Sequence, residues 1–413
     1  MMKYNKLLDV MYVRVSLIAF IAAFSALILA GPAMAETDEE KGMFDVKLAK
    51  DPEPLADDIE ASLDHLFAMI EDPSIQIDMA KLDPMLDFVV NGTEDPKDIK
   101  PAKRFSGNGI CLRESINADM DTITRYFYNP DIPNFLLCPA VLRLSGWYPD
   151  SEFLQRKTPL WEELDSFEAP IQTRGKEFEA CTPDSFGEAY FRYDINRLIN
   201  LVKYQGKNVI ISVSLQDDES DVGRKGAIIN DQEWDYFYSG IEGLNRGLIG
   251  WMDTFMYNSA SVLIYVEHDA ATRKGSTFLF KWLKAGWAGM NVVKRKHIYD
   301  GTLRYVRSMS KVLESPDLTP EELAAGMRVV EELTGPQVDE YIAQYAKNFE
   351  LRFQDNPKLS SKEYSKIIAD GGYAEVLDKE ERISLLYLEK LKAMLGMETL
   401  VDLTSSPVAD AKN

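Results

Sequence analysis

The sequence predicts an α+β fold: a central antiparallel sheet covered by a long amphipathic helix, with helical regions before and after it in the chain. Three observations predict it. In the middle of the chain apolar residues recur with a period of two, the signature of a half-buried strand: Val209, Ile211, Val213 and Leu215 alternate with Ile210, Ser212, Ser214 and Gln216. The candidate strands are short and joined by polar turns, which implies antiparallel pairing. After Asn291 the period becomes helical, with Ile298, Thr302, Tyr305, Val306, Met309, Val312 and Leu313 at spacings of three and four.

From the start of the chain, residues 1–35 read as a signal peptide. Lys3, Lys6 and Arg14 precede an apolar run over 15–30, which ends in Gly31-Pro32-Ala33-Met34-Ala35, an A-x-A cleavage site. The expected location is therefore exported, periplasmic or secreted. The alternative is a membrane anchor left uncleaved, although the run is short of the roughly 20 apolar residues a span requires.

Residues 36–103 form an N-terminal helical region and linker. Leu55, Ile59, Leu63 and Leu66 share one face of a helix over 55–71, and Asp57 and Asp58 suit its positive N-terminal end. A second apolar stretch over 75–90 is expected to be interrupted at Asp83-Pro84 and stopped by Asn91-Gly92. The sheet domain is assigned to 104–315. Its strands are read at 141–147, at Phe191, Tyr193 and Ile195, at Val209 to Leu215, at Trp234, Tyr236 and Tyr238, at Val262, Ile264 and Val266, and at Phe278, Phe280 and Trp282. The turn over 204–208 makes a hairpin. The C-terminal helical region covers 316–413, with a helix start at Thr319-Pro320-Glu321-Glu322 and further helices over 338–353, 364–368 and 380–395.

Composition narrows the functional classes. Apolar residues make up 46% of the chain and aromatics 11%, too many for a disordered protein. With 46 basic against 67 acidic side chains the net charge is −21, so nucleic acid is not an expected partner. Cys111, Cys138 and Cys181 allow one disulfide in any of three pairings, or three buried thiols. Asn91-Gly92-Thr93 has the form of a glycosylation sequon.

Few residues point to chemistry. No G-x-S-x-G occurs, and His65, His268 and His297 are too dispersed for a metal site, so no catalytic residue, metal or cofactor is assigned. The loop with Asp217, Asp218, Glu219 and Asp221 fails the EF-hand spacing and reads as an acidic tip. Gly240, Gly243, Gly247 and Gly250, interleaved with apolar residues, read either as a hinged lid or as a tightly packed connection. Between Thr272 and Lys311 stand ten basic residues and one acid, Asp300. Beside Trp282 and Trp287 this suits peripheral contact with an anionic membrane surface or a pocket for an acidic headgroup; the plainer reading is compensation within the fold by acidic helices such as 321–332.

The order of elements, successive antiparallel strands and then one long helix over 294–313, is similar to the helix-grip architecture of the START-like lipid-binding superfamily. The resemblance spans about 104–315 and is one of architecture, so no residue role is carried over. It implies a curved sheet wrapped around the last helix, an apolar cavity between them, and binding of a lipid or other apolar ligand. The expected activity is thus non-catalytic binding, with envelope lipid or ester hydrolysis and an envelope interaction role as alternatives. Trp234, Tyr236, Tyr238, Phe280 and Trp282 are the expected apolar walls. One of Lys294, Arg295 and Lys296 is the expected partner of an acidic headgroup.

Overall fold

The structure is a computed structural model that describes residues 43–93, 95–185, 187–245 and 251–403. The expected signal peptide, Gly247, Gly250 and the tail from Thr404 lie outside the described residues. The elements below belong to the unit that begins at Val46.

The helices are α1 (Asp57–Glu71) and α2 (Met79–Asn91), then the short α3 (Met120–Phe127) after strand β1 (Asn108–Ile116). Strands β2 (Leu142–Trp147), β3 (Ile171–Cys181), β4 (Arg192–Tyr204) and β5 (Lys207–Gln216) follow. Next come β6 (Arg224–Asn230), β7 (Asp235–Glu242), β8 (Phe255–Asp269) and β9 (Lys274–Gly286). The chain closes with α4 (Arg295–Leu313), α5 (Pro320–Glu331), α6 (Gly335–Phe353), α7 (Lys362–Ile368) and α8 (Lys379–Met394).

Seven strands form one antiparallel sheet in the order β1-β9-β8-β5-β4-β3-β2, and α4 lies over one face of it. This is the α+β architecture that the periodicity predicts. The hairpin between β4 and β5 turns at Gln205 and Gly206, both with positive φ, in the two-residue form that matches strand twist. Three strands escape the periodicity. No strand is read from the sequence over β1 or β6, and β3 carries charged residues on both of its faces, Lys176 and Glu177 among them.

The other face of the large sheet is covered by α1 and α2. Ile59, Leu63, Leu66, Leu82, Met85 and Leu86 pack there on Val209, Ile211, Val213, Val262, Ile264, Phe278, Phe280 and Trp282, all nearly inaccessible. Pro84 does not interrupt α2, contrary to the expectation from Asp83-Pro84. A proline at the sixth helical position forfeits one backbone hydrogen bond, and the buried stripe from Leu82 to Val90 holds the helix together across it.

A second sheet, β7-β6 with the two-residue strand Ala189–Tyr190, carries the C-terminal helices. Phe237 of β7 meets Phe349, Tyr364 and Tyr373 at centroid distances of 6.1, 4.7 and 5.1 Å. α5 starts at Pro320, as its sequence predicts, and a capping box of Thr319 and Glu322 closes that end. Gly335-Pro336 opens α6, because proline is tolerated in the first turn, where its missing N–H has no partner to lose.

Candidate functional site: the space under the covering helix

Strand alternation gives the large sheet two faces of different chemistry. In β9, Phe278, Phe280 and Trp282 point to α1 and α2, so Leu279, Lys281 and Leu283 point to α4. The same parity brings Ser259, Ser261 and Leu263 of β8, Ser214 of β5, Ile195 and Arg197 of β4, and Glu179 of β3 to that face. A cavity of about 220 Å³ lies between these side chains and α4. His297, Ile298, Gly301, Thr302 and Tyr305 form its roof, and the exposed Ser185 stands at its rim.

Register aligns the polar part of the floor. Lys281 pairs with Ser261, Ser261 with Ser214, and Ser214 with Arg197, one row across four neighbouring strands. Three strand spacings put its ends about 14 Å apart at the backbone. The two central hydroxyls are 2.6 Å from each other. Apolar side chains flank the row, Leu279 and Leu263 on one side and Leu283 and Ile195 on the other.

The two cations of the row differ in their company. Arg197 donates from Nε and Nη2 to the two oxygens of Glu177 at 3.0 and 2.9 Å, and from Nη2 to Glu179 at 3.2 Å. Glu179 also accepts from the Tyr193 hydroxyl at 2.9 Å. Burial raises the Glu177 pKa, and Arg197 opposes that rise. Burial alone would lower the pKa of Arg197, but Glu177 and Glu179 outweigh it and hold the guanidinium charged.

Lys281 has no such partner. Its Nζ donates to Ser259 Oγ at 2.6 Å, and no carboxylate among the described residues lies within ion-pair reach. Burial pushes its pKa down to about 8, with Glu179 opposing the shift and Arg197 adding to it. The residue keeps some accessible surface although it is enclosed by protein atoms, because that surface faces the cavity.

None of the eight residues chosen from the sequence lines this cavity. Phe280 and Trp282 belong to the core on the opposite face, where Trp282 donates from Nε1 to Ala102 O at 2.7 Å and lies under the Arg104 guanidinium. Trp234, Tyr236 and Tyr238 are buried around the second sheet: Lys311 sits 4.7 Å over Trp234, Tyr236 donates to Asp231 at 2.8 Å, and Arg143 covers Tyr238. The three basic residues are placed otherwise as well. Lys294 is the exposed N-cap of α4, Arg295 donates to the carbonyls of Lys97 and Ile99, and Lys296 pairs with Asp300 one turn on, at 2.5 Å. The ionisable cavity side chain that the sequence reading does not single out is Lys281. Its signal was present as a basic residue in the leucine phase of an alternating strand, opposite the aromatic phase.

Several cations of the basic segment are engaged within the fold. Arg304 grips Asp231 from Nε and Nη2, Arg273 approaches Asp119 at 3.4 Å, and Lys311 donates to Gln232 O. The three cysteines are buried free thiols, so none of the allowed disulfide pairings is formed. Asp217 of the acidic loop binds Lys176 at 2.6 Å, and no cluster of metal-ligating type occurs among the described residues.

His268 lies 2.8 Å from Ser276 Oγ, the distance a nucleophile and its base require. The histidine is exposed at a β-bulge, and neither residue lines the cavity. No carboxylate among the described residues is hydrogen-bonded to the ring, so the pair lacks the orienting third group of a triad. No helix of the described residues is long and apolar enough to cross a membrane. Comparison of the chain with family models, curated proteins and solved structures finds no match.

Proposed function

We propose that the protein is an exported, non-catalytic binding protein for a single-chain apolar ligand with an acidic headgroup. The ligand lies between the sheet and α4, its headgroup on Lys281 and its chain along the leucine walls. One observation carries this reading: an ammonium group inside a largely apolar cavity, bonded to a hydroxyl but to no carboxylate. A buried charge is costly unless an opposite charge meets it, and a ligand anion supplies that charge at the moment of binding. The two serine hydroxyls beside it suit carboxylate or phosphate oxygens.

Size limits the ligand. The cavity exceeds the roughly 150 Å³ that accommodates a benzene molecule. It falls short of the roughly 300 Å³ at which drug-sized sites begin. One short acyl chain or a compact amphiphile fits; a two-chain lipid would need the walls to move. The likeness of the element order to the START-like superfamily supports the same ligand class, and the A-x-A segment before Glu36 supports export.

Native mass spectrometry of the exported protein, with solvent extraction of anything released, tests the proposal. The expected result is a stoichiometric acidic adduct, or uptake of added decanoate, that Lys281→Met abolishes. An apo mass together with no decanoate uptake would overturn it. The His268–Ser276 hydrogen bond favours ester hydrolysis as a second reading. An ester-cleaving rate unaltered by Ser276→Ala would remove that reading.

A further inference from the structure

Lys281 has the attributes of a nucleophile as well as those of a counter-charge. The residue stands between Leu279 and Leu283 on a strand face that lines a cavity, and its Nζ is not tied to a carboxylate that would hold the proton on it. Its hydrogen-bond partner, Ser259, can accept and return a proton. We propose that Lys281 is a covalent acceptor, whose amine condenses with the carbonyl carbon of an apolar aldehyde or ketone seated in the cavity to form an imine. The inference rests on the cavity reading above and adds a reaction to it.

The step balances without an oxidant or reductant. The nitrogen lone pair forms a C–N bond as the carbonyl π pair moves to oxygen. A proton passes from nitrogen to oxygen, with Ser259 Oγ as the nearest relay. The carbinolamine then loses its hydroxyl and one nitrogen proton as water, leaving C=N. Condensation requires the unprotonated amine. Burial places the pKa at about 8, so near that pH about half of the Lys281 side chains carry a free lone pair. For an ordinary lysine of pKa about 10.4 the fraction is under about 1%. Desolvation of a lysine in an apolar pocket is a general route to this reactivity. The leucine walls also hold water away from the imine once it has formed.

The test is reductive trapping of the full-length protein with octanal and cyanoborohydride, which delivers hydride to an imine carbon and leaves a stable secondary amine. Proteolysis and tandem mass spectrometry then locate the octyl group. The expected label falls on Lys281 at a rate roughly tenfold above that of any other lysine. The rate rises as pH passes about 8, and excess octanoate suppresses it. Lys281→Arg, which has no amine able to condense, removes the label. Labelling spread over surface lysines, with Lys281 at their level or below, would overturn the inference. Octanoate binding without selective labelling overturns the imine alone, whereas loss of both in the wild-type protein overturns the cavity reading beneath it.

Discussion

At the residue scale, Lys281 sets two properties against each other. Holding an ammonium away from water and from any carboxylate destabilises the folded state, whereas an anion arriving from a ligand is held by a charge-assisted hydrogen bond worth about 1.5–3 kcal/mol. Lys281→Met, which keeps the length of the side chain and removes its charge, is therefore expected to weaken binding of an acidic ligand roughly 10- to 100-fold while leaving the apo protein as stable as before or more so. Ligand titration and chemical denaturation of the same variant read the two effects separately.

The pH dependence follows from the same group. Its folded pKa, about 8, lies below the ordinary 10.5, so the folded state disfavours the proton. Between those two values the unfolded chain holds more protons than the folded one, and stability rises with pH across that window. Below about pH 8 both states are protonated, and the penalty of burying the ammonium is present in full. Anion binding runs the other way, because it uses the ammonium form, and is expected to fall as pH rises above about 8. The difference between wild type and Lys281→Met in denaturation and in binding, followed from neutral to alkaline pH, isolates this one titration from the tyrosines and other lysines.

At the scale of the element, β9 shows what the sequence reveals and what it withholds. Its period of two is legible, and so are its two faces. Which face meets the cavity is not. Phe278, Phe280 and Trp282 form the larger apolar surface, and that surface is consumed by α1 and α2, leaving the mixed face with Lys281 for α4. The choice depends on a second helical layer, which no pattern within the strand encodes. The row from Lys281 through Ser261 and Ser214 to Arg197 was hidden for a related reason: it is made by register among four strands, and each strand contributes a single polar residue. Phe280→Ala is expected to cost about 3–5 kcal/mol of stability by opening a void against α1 and α2. Ligand affinity of the folded fraction should stay unchanged, because the side chain points away from the cavity. Denaturation paired with ligand titration checks both halves.

At the scale of the molecule, the seven-stranded sheet is buried on both faces, by α1 and α2 on one side and by α4 on the other, and the second sheet docks the C-terminal helices. The overall class was legible because helical and strand periods occupy separate stretches of the chain. The strands of mixed polarity, β1, β3 and β6, were not, since their charged residues are satisfied by neighbours such as Arg197 that are distant in sequence. One buried cluster ties the C-terminal helix to the second sheet. Lys392 Nζ binds Asp235 at 2.8 Å and Glu389 at 3.4 Å, and Glu389 in turn accepts the backbone N–H groups of Leu400 and Val401. Lys392→Met leaves two buried carboxylates without their cation, and about 3–5 kcal/mol of destabilisation is expected. Hydrogen exchange should rise in α8 and β7, while Lys281 and the cavity floor keep their protection. Exchange measured by mass spectrometry checks that pattern.

We propose that the space between the sheet and α4 takes an acidic amphiphile through Lys281. Calorimetric titration with decanoate and with decanol, two ligands of equal chain length and different headgroup charge, addresses it most directly. Wild type is expected to bind decanoate at least about tenfold more tightly than decanol, and Lys281→Met to remove the difference. Equal affinity for the two in the wild-type protein, or a preference for decanoate that survives Lys281→Met, would contradict it.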